Sequence, residues 1–296
     1  MKNLLFLTLF FYLGCYAPKK QVEQNITKDF YSLYLPSEHP LSTLILFGGF
    51  SEKANDIKRE FNIDTLAKEN NCAVLYLNYS DKLWLEEEDE NQLTEKIDSI
   101  LNDHKLFESN TYLGGFSSGG NLALLLANHL KANKTKIKLS GVFAIDSPID
   151  LEALYNSARK NINRNFSEIA VNEGRWIVNK LESTLGSPST EFQKYEERAV
   201  FTSSSTHTKN LNNLKQTKIR FYTEPDYNWW RNNRQADLDQ LNAYYLKKLA
   251  ASLKQKGFEQ VSYIETTNKG YRKNGTRHPH SWSIVNKEKL LEWMTK

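Results

Sequence analysis

Gly115-Phe116-Ser117-Ser118-Gly119 fits the pattern Gly-x-Ser-x-Gly, which carries a serine on a sharp turn from strand to helix. Thr111 to Leu113 before it are β-prone, and from Asn121 to Leu130 the chain is a run of strong helix formers, so the backbone period changes across the serine. Glycines two positions to either side let strand and helix pass closely, and Gly114 and Gly120 extend that slimness. A serine hydroxyl is a poor nucleophile until a base takes its proton, so Ser117 calls for a histidine within hydrogen-bond reach and a carboxylate to orient it. Later segments supply both: Glu224 and Asp226 follow a strand that ends at Thr223, and His278 and His280 lie in a loop after a strand ending near Glu265. Asp146 and Asp150, after the strand that ends at Ile145, are further carboxylates at a strand end.

The elements that must position these groups alternate. Thr43–Phe47, Cys72–Leu77 and Gly141–Ile145 are continuous apolar runs, as strands buried on both faces require, while Phe30–Leu35 alternates and stops at Pro36, as an early and edge-like strand does. Helices are predicted over 52–70, around Leu93, Ile97, Ile100 and Leu101, from Asn121 onward, over about 235–256 and from Asn286 through Met294. Ile219–Thr223 and Gln260–Glu265 are the last strands. Strand and helix in alternation give the fold class, α/β with a mostly parallel, doubly wound sheet. The rhythm breaks from Leu151 to about Lys215, where only helical segments occur: 151–160, 167–185 and a third opening at Ser187-Pro188. An insert of that size between two strands reads as a helical lid.

Serine, then acid, then histidine along such a sheet resembles the α/β-hydrolase family over nearly the whole chain from Tyr34-Leu35-Pro36 onward. The resemblance implies Ser117 as nucleophile, Asp226 as acid, in preference to Glu224, and His280 as base. His280 is preferred to His278 because it directly precedes Ser281-Trp282 and the closing helix. The oxyanion hole would comprise the N–H groups of Ser118 and Phe50; Gly48-Gly49 stand where relatives carry His-Gly, which removes a side chain that props this loop. The implied chemistry is hydrolysis of a small-molecule carboxylic ester through an acyl-enzyme, with no cofactor and no metal. Tyr227, Trp229, Trp230 and Trp282 flank the implied acid and base, a composition that suits sugar or aryl groups, hence acyl or phenolic esters of carbohydrates. Arg231, Arg234, Arg272 and Arg277 are near enough in sequence to meet an anionic substrate group.

Residues 1–14 have a lysine at position 2 and an apolar run from Leu4 to Leu13, the pattern of a signal peptide. Tyr12-Leu13-Gly14-Cys15 resembles a bacterial lipobox with Cys15 as the lipidated residue, which implies a membrane-anchored protein of the cell envelope. Residues 15–27 then read as a tether and 28–296 as one hydrolase domain carrying the lid insert at about 151–215. A net charge of +4 with no basic cluster gives no electrostatic footprint for nucleic acid. With Cys15 acylated, Cys72 is the only thiol and sits before an apolar strand, as an inert core residue would.

Overall fold

A computed structural model describes residues 23–296; the expected signal peptide and the expected lipidation site at Cys15 lie outside the described residues. Eight strands form one sheet: β1 (Gln24–Thr27), β2 (Tyr31–Leu35), β3 (Ser42–Phe47), β4 (Cys72–Leu77), β5 (Asn110–Phe116), β6 (Leu139–Ile145), β7 (Lys218–Thr223) and β8 (Val261–Glu265). Their order is β1-β2-β4-β3-β5-β6-β7-β8, with β1 and β2 antiparallel and all pairs from β4 to β8 parallel. The expected α/β class is therefore borne out.

The apolar runs are buried on both faces because each strand feeds two cores. On β3, Ile45 and Phe47 point into one cluster and Leu44 and Leu46 into the other. The first cluster is dominated by α4 (Ser118–Ala132), whose Leu122, Leu124, Leu125 and Leu126 are almost wholly buried. Helix α3 (Glu87–Asp103) joins it through Leu93, Ile97, Ile100 and Leu101, as their spacing predicts. On the opposite face lie α1 (Ala54–Phe61), α2 (Asp64–Glu69) and α10 (Lys287–Thr295). Cys72 is a buried free thiol whose pKa burial pushes up to about 11.

Four local readings change. Gln24–Thr27, the end of the expected tether, pair with β2 as the edge strand, so β2 itself is not an edge. The helix expected over 52–70 breaks at Asn62, which takes a left-handed cap with φ 46°. Ser187-Pro188 open only a single turn, closed by Thr190 and Glu191 N–H groups on the Ser187 carbonyl, and α7 starts later, at Phe192–Arg198. The late helix expected over about 235–256 starts later, as α9 (Asn242–Gln255), and an additional helix, α8 (Tyr227–Arg234), capped by the Asp226 side chain, precedes it.

The insert consists of α5 (Leu151–Arg164), α6 (Glu168–Leu185) and α7, followed by a short 3-10 turn over Lys209–Leu214. Asp150 caps α5 by accepting the Ala153 N–H at 3.0 Å, and also accepts the Ser203 N–H at 2.7 Å. The α5 and α6 backbones approach so closely at Gly174 that a Cβ there would lie 2.8 Å from the Ala158 carbonyl oxygen. Leu181, Tyr195 and Phe201 extend the main core into the insert.

Under the centre of the sheet, Phe143 is fully buried against Gly114, Tyr222 and Trp293. Truncating it leaves a cavity that rigid strands cannot close. Phe143→Ala is expected to lower stability by about 3–5 kcal/mol in urea denaturation; a loss under about 1 kcal/mol would contradict this packing.

Candidate active site

Ser117 ends β5 and caps α4 with φ 53° and ψ −128°, a conformation that costs an L-residue about 1–3 kcal/mol unless its surroundings impose it. The surroundings do. Its N–H donates to the Ile145 carbonyl at 2.9 Å and its carbonyl accepts the Gly120 N–H at 3.0 Å. A Cβ at Gly115 would overlap the Gly119 carbonyl, and one at Gly119 would overlap the carbonyls of Gly48 and Phe47. A Cβ at Gly120 would overlap the Ser147 hydroxyl. The Gly-x-Ser-x-Gly spacing thus reflects backbone packing at both of its glycines, and it leaves the Ser117 side chain partly exposed.

The structure brings His280 to a carboxylate, but the partner is Asp146. His280 Nδ1 and Asp146 Oδ2 are 2.7 Å apart, and Asp146 is only 5% exposed. Asp146 is the first residue after β6, as Ser117 is the first after β5, and adopts φ 43°, which Asp tolerates better than most residues. Its backbone is fixed by its own N–H on the Tyr222 carbonyl and by the Asn242 amide on its carbonyl, both at 2.8 Å. The His280 ring lies on that of Phe116, the neighbour of Ser117, with centroids 4.4 Å apart. Among the described residues no hydrogen bond yet joins His280 to Ser117, and such contacts commonly tighten only with substrate.

The expectation of Asp226 as the acid is corrected by what surrounds it. Asp226 Oδ1 accepts the Trp229 N–H at 3.1 Å as the cap of α8, and Oδ2 pairs with Arg277 at 2.7 Å. Glu224, the alternative, is buried and accepts Thr266 Oγ1, the N–H groups of Lys269 and Gly270, and Arg277. Both carboxylates after β7 therefore organise the loop that delivers the histidine without touching it. Arg277 is consumed in that pairing.

His278 is buried between Trp229 and Trp230, at centroid distances of 4.8 and 5.7 Å, and neither ring nitrogen has a partner among the described residues. Burial, then the nearby His280, Arg272 and Arg234, push its pKa down to about 3, so it is a neutral packing group. The aromatic wall is correspondingly reassigned. Trp229 and Trp230 enclose His278, while Trp282 is 2% exposed and packs on Phe61 and Phe116 beneath the site.

The turn after β3 sits directly beside the serine: a Cβ at Gly49 would lie 3.4 Å from Ser117 Cβ. Within it, the Gly49 N–H donates to Glu52 Oε2 and the Ser51 N–H to the Ser80 carbonyl. The Phe50 N–H between them has no partner among the described residues, nor does the first-turn N–H of Ser118, so the two expected oxyanion donors are the free ones. The Phe50 ring lies against that of Trp176, which belongs to α6 of the insert, with centroids 4.3 Å apart and the planes tilted by 56°. Sequence reasoning gave Asp146 a minor place and missed Glu52 and Trp176 altogether; only Asp146 carried a signal, its position at a strand end.

Two substitutions separate site from scaffold. Gly119→Ala drives its methyl into the Phe47 and Gly48 carbonyls and should abolish reaction of Ser117 with a fluorophosphonate; normal labelling would refute the packing described. His278→Phe fills the same dry space without an unpaired nitrogen and should raise the thermal midpoint, since an orphaned buried polar group costs about 1–3 kcal/mol; a lowered midpoint would show that His278 has a polar partner.

No family model matches the chain, and no curated protein matches its sequence. Solved structures do. The chain is similar to the Francisella virulence factor BioJ at 13% identity, over 93% of this chain and 84% of that one, with a TM-score of 0.56. It is similar to the Pyrococcus furiosus esterase PF2001 at 13% identity, over 96% and 94% of the two chains, with a TM-score of 0.54. A structure from work on two Rhizomucor miehei esterases matches at 14% identity, over 93% and 83%, also with a TM-score of 0.54. At these identities the likeness is one of architecture, and together with the sheet order and its flanking helices it establishes that the chain has the α/β-hydrolase fold.

Proposed function

We propose that the protein is a serine hydrolase that cleaves a small-molecule carboxylic ester. The observation that carries this reading is the convergence of a strained Ser117, the His280–Asp146 pair and two unpaired N–H groups on one end of the sheet. In the reaction, His280 Nε2 takes the Ser117 proton as the oxygen attacks the ester carbonyl, while Asp146 holds Nδ1–H and stabilises the imidazolium. The N–H groups of Phe50 and Ser118 receive the developing oxyanion. His280 then gives its proton to the departing alcohol, leaving an acyl-enzyme that water attacks by the same route in reverse. The names of the fold's neighbours include esterases, which agrees with this chemistry.

The substrate side of the reading rests on Phe50 and Trp176. Their rings are a little over one-third exposed and lie against each other, one carried by the turn that flanks the serine and the other by α6, a surface that favours a flat or apolar acyl group such as a phenolic acyl ester of a carbohydrate. The lipobox-like Cys15 further supports a protein tethered to a membrane of the cell envelope, where such esters would be met outside the cytoplasm.

Fluorophosphonate labelling and hydrolysis of p-nitrophenyl acetate test the proposal. Wild type should label and Ser117→Ala should not; labelling retained in Ser117→Ala would overturn it. Asp146→Asn leaves the histidine in the wrong tautomer and should lower kcat by up to about 10⁴-fold. Asp226→Asn should keep kcat within about threefold, because its ties are to α8 and Arg277. The reverse pattern would restore Asp226 as the acid.

A further inference from the structure

The loop after β3 lacks the side chain that ordinarily props it, yet it is closed on both sides by one residue. Glu52 Oε2 accepts the Gly49 N–H at 2.8 Å, and the Glu52 N–H donates back to the Gly49 carbonyl at 2.9 Å. The fold-back depends on Gly48, where a Cβ would lie 2.7 Å from Glu52 Cβ. The same Oε2 accepts the Trp282 indole N–H at 3.1 Å. Trp282 follows His280 by two residues and packs between Phe61 and Phe116, at centroid distances of 5.0 and 5.3 Å. Phe116 in turn precedes Ser117 and carries the His280 ring. One carboxylate oxygen therefore ties together the turn at 48–52, the segment bearing His280 and the residue before the nucleophile.

We propose that Glu52 is a positioning residue that fixes the Phe50 N–H against the Ser117–His280 pair by clamping Gly49 and Trp282 on a single oxygen. This rests on the hydrolase reading given above. The mechanism is geometric. With Gly49 N–H held by Glu52 and Ser51 N–H held by Ser80, the peptide between them can turn only one way, and Phe50 N–H is left facing the site without a competing acceptor. Oxyanion donors act through preorganisation, so a loop free to rotate would lose transition-state stabilisation while ground-state binding is little changed. The carboxyl group is half-buried; desolvation pushes its pKa up, opposed by the Gly49 and Trp282 hydrogen bonds and by the nearby His280.

The test compares wild type, Glu52→Ala and Glu52→Gln, using p-nitrophenyl acetate and a fluorophosphonate, together with amide hydrogen exchange at Gly49 followed by NMR. Glu52→Ala should lower kcat by about 10–100-fold with KM within about threefold, since a misplaced donor costs somewhat less than a deleted one. Its Gly49 amide should exchange faster than in wild type. Glu52→Gln keeps an oxygen able to accept both donors and should recover kcat to within about fivefold of wild type. Wild-type kcat in Glu52→Ala, or a Glu52→Gln no better than Glu52→Ala, overturns the proposal. Should Glu52→Ala fail to fold, Trp282→Phe removes the indole donor while keeping an aromatic ring, though a smaller one, and should still lower kcat several-fold; wild-type kcat there also overturns it. An unreactive wild type would instead overturn the hydrolase reading, and unchanged Gly49 exchange in Glu52→Ala would then remove the clamp on its own account.

Discussion

The backbone strain at Ser117 is the constraint around which this molecule is arranged. A non-glycine residue with φ 53° and ψ −128° persists only where every alternative is blocked, and here the blocking is done by main chain. The β5 strand, the start of α4 and the turn after β3 meet at distances that admit no Cβ at Gly115 or Gly119. Because the same contacts bring the turn at 48–50 beside the serine, the strain that exposes the hydroxyl also places the N–H groups proposed as oxyanion donors. The proposed nucleophile and the proposed oxyanion donors come from a single packing event, held in place by the large core beneath α4.

The histidine arrives differently. It lies on a long irregular stretch after β8, and such a loop must be ordered by side chains because it has no ladder of its own. Three carboxylates share that task. Glu224 gathers the N–H groups of Lys269 and Gly270, Asp226 and Glu224 together hold Arg277, and Asp146 takes His280 itself. Asp146 prevails over Asp226 because β6, and not β7, adjoins β5, which sets its strand end nearer the serine; Asp226 is meanwhile drawn into capping α8. Glu52 adds a fourth tie through Trp282, from the other side of the site.

The helical insert touches the site through few residues. Much of its apolar surface completes the main core, and it reaches the turn beside the serine through the Trp176 ring against Phe50. The dense late aromatics serve mainly as structure: Trp282 fills the space under the elbow, and Trp229 with Trp230 keep His278 dry. Aromatic density near a site in sequence is thus poor evidence of a substrate wall, since large rings are also what seals an irregular loop onto a sheet edge.

The sequence by itself determined the sheet's parallel character, the helical insert, the elbow at Ser117 and the presence of a histidine near the closing helix. Each of these depends on local pattern: continuous apolar runs, a change of period, glycines around a serine. It also contained Asp146 in view but could not choose among four acids, because that choice depends on which strand ends lie side by side. The additional helix α8, the neutrality of His278 and the tie between Glu52 and Trp282 were likewise decided only by tertiary structure. In every such case a side chain's role is set by partners far away in sequence, 134 positions in the case of His280 and Asp146 and 230 in that of Glu52 and Trp282. Local spacing carries no record of such distances; only the packed sheet does.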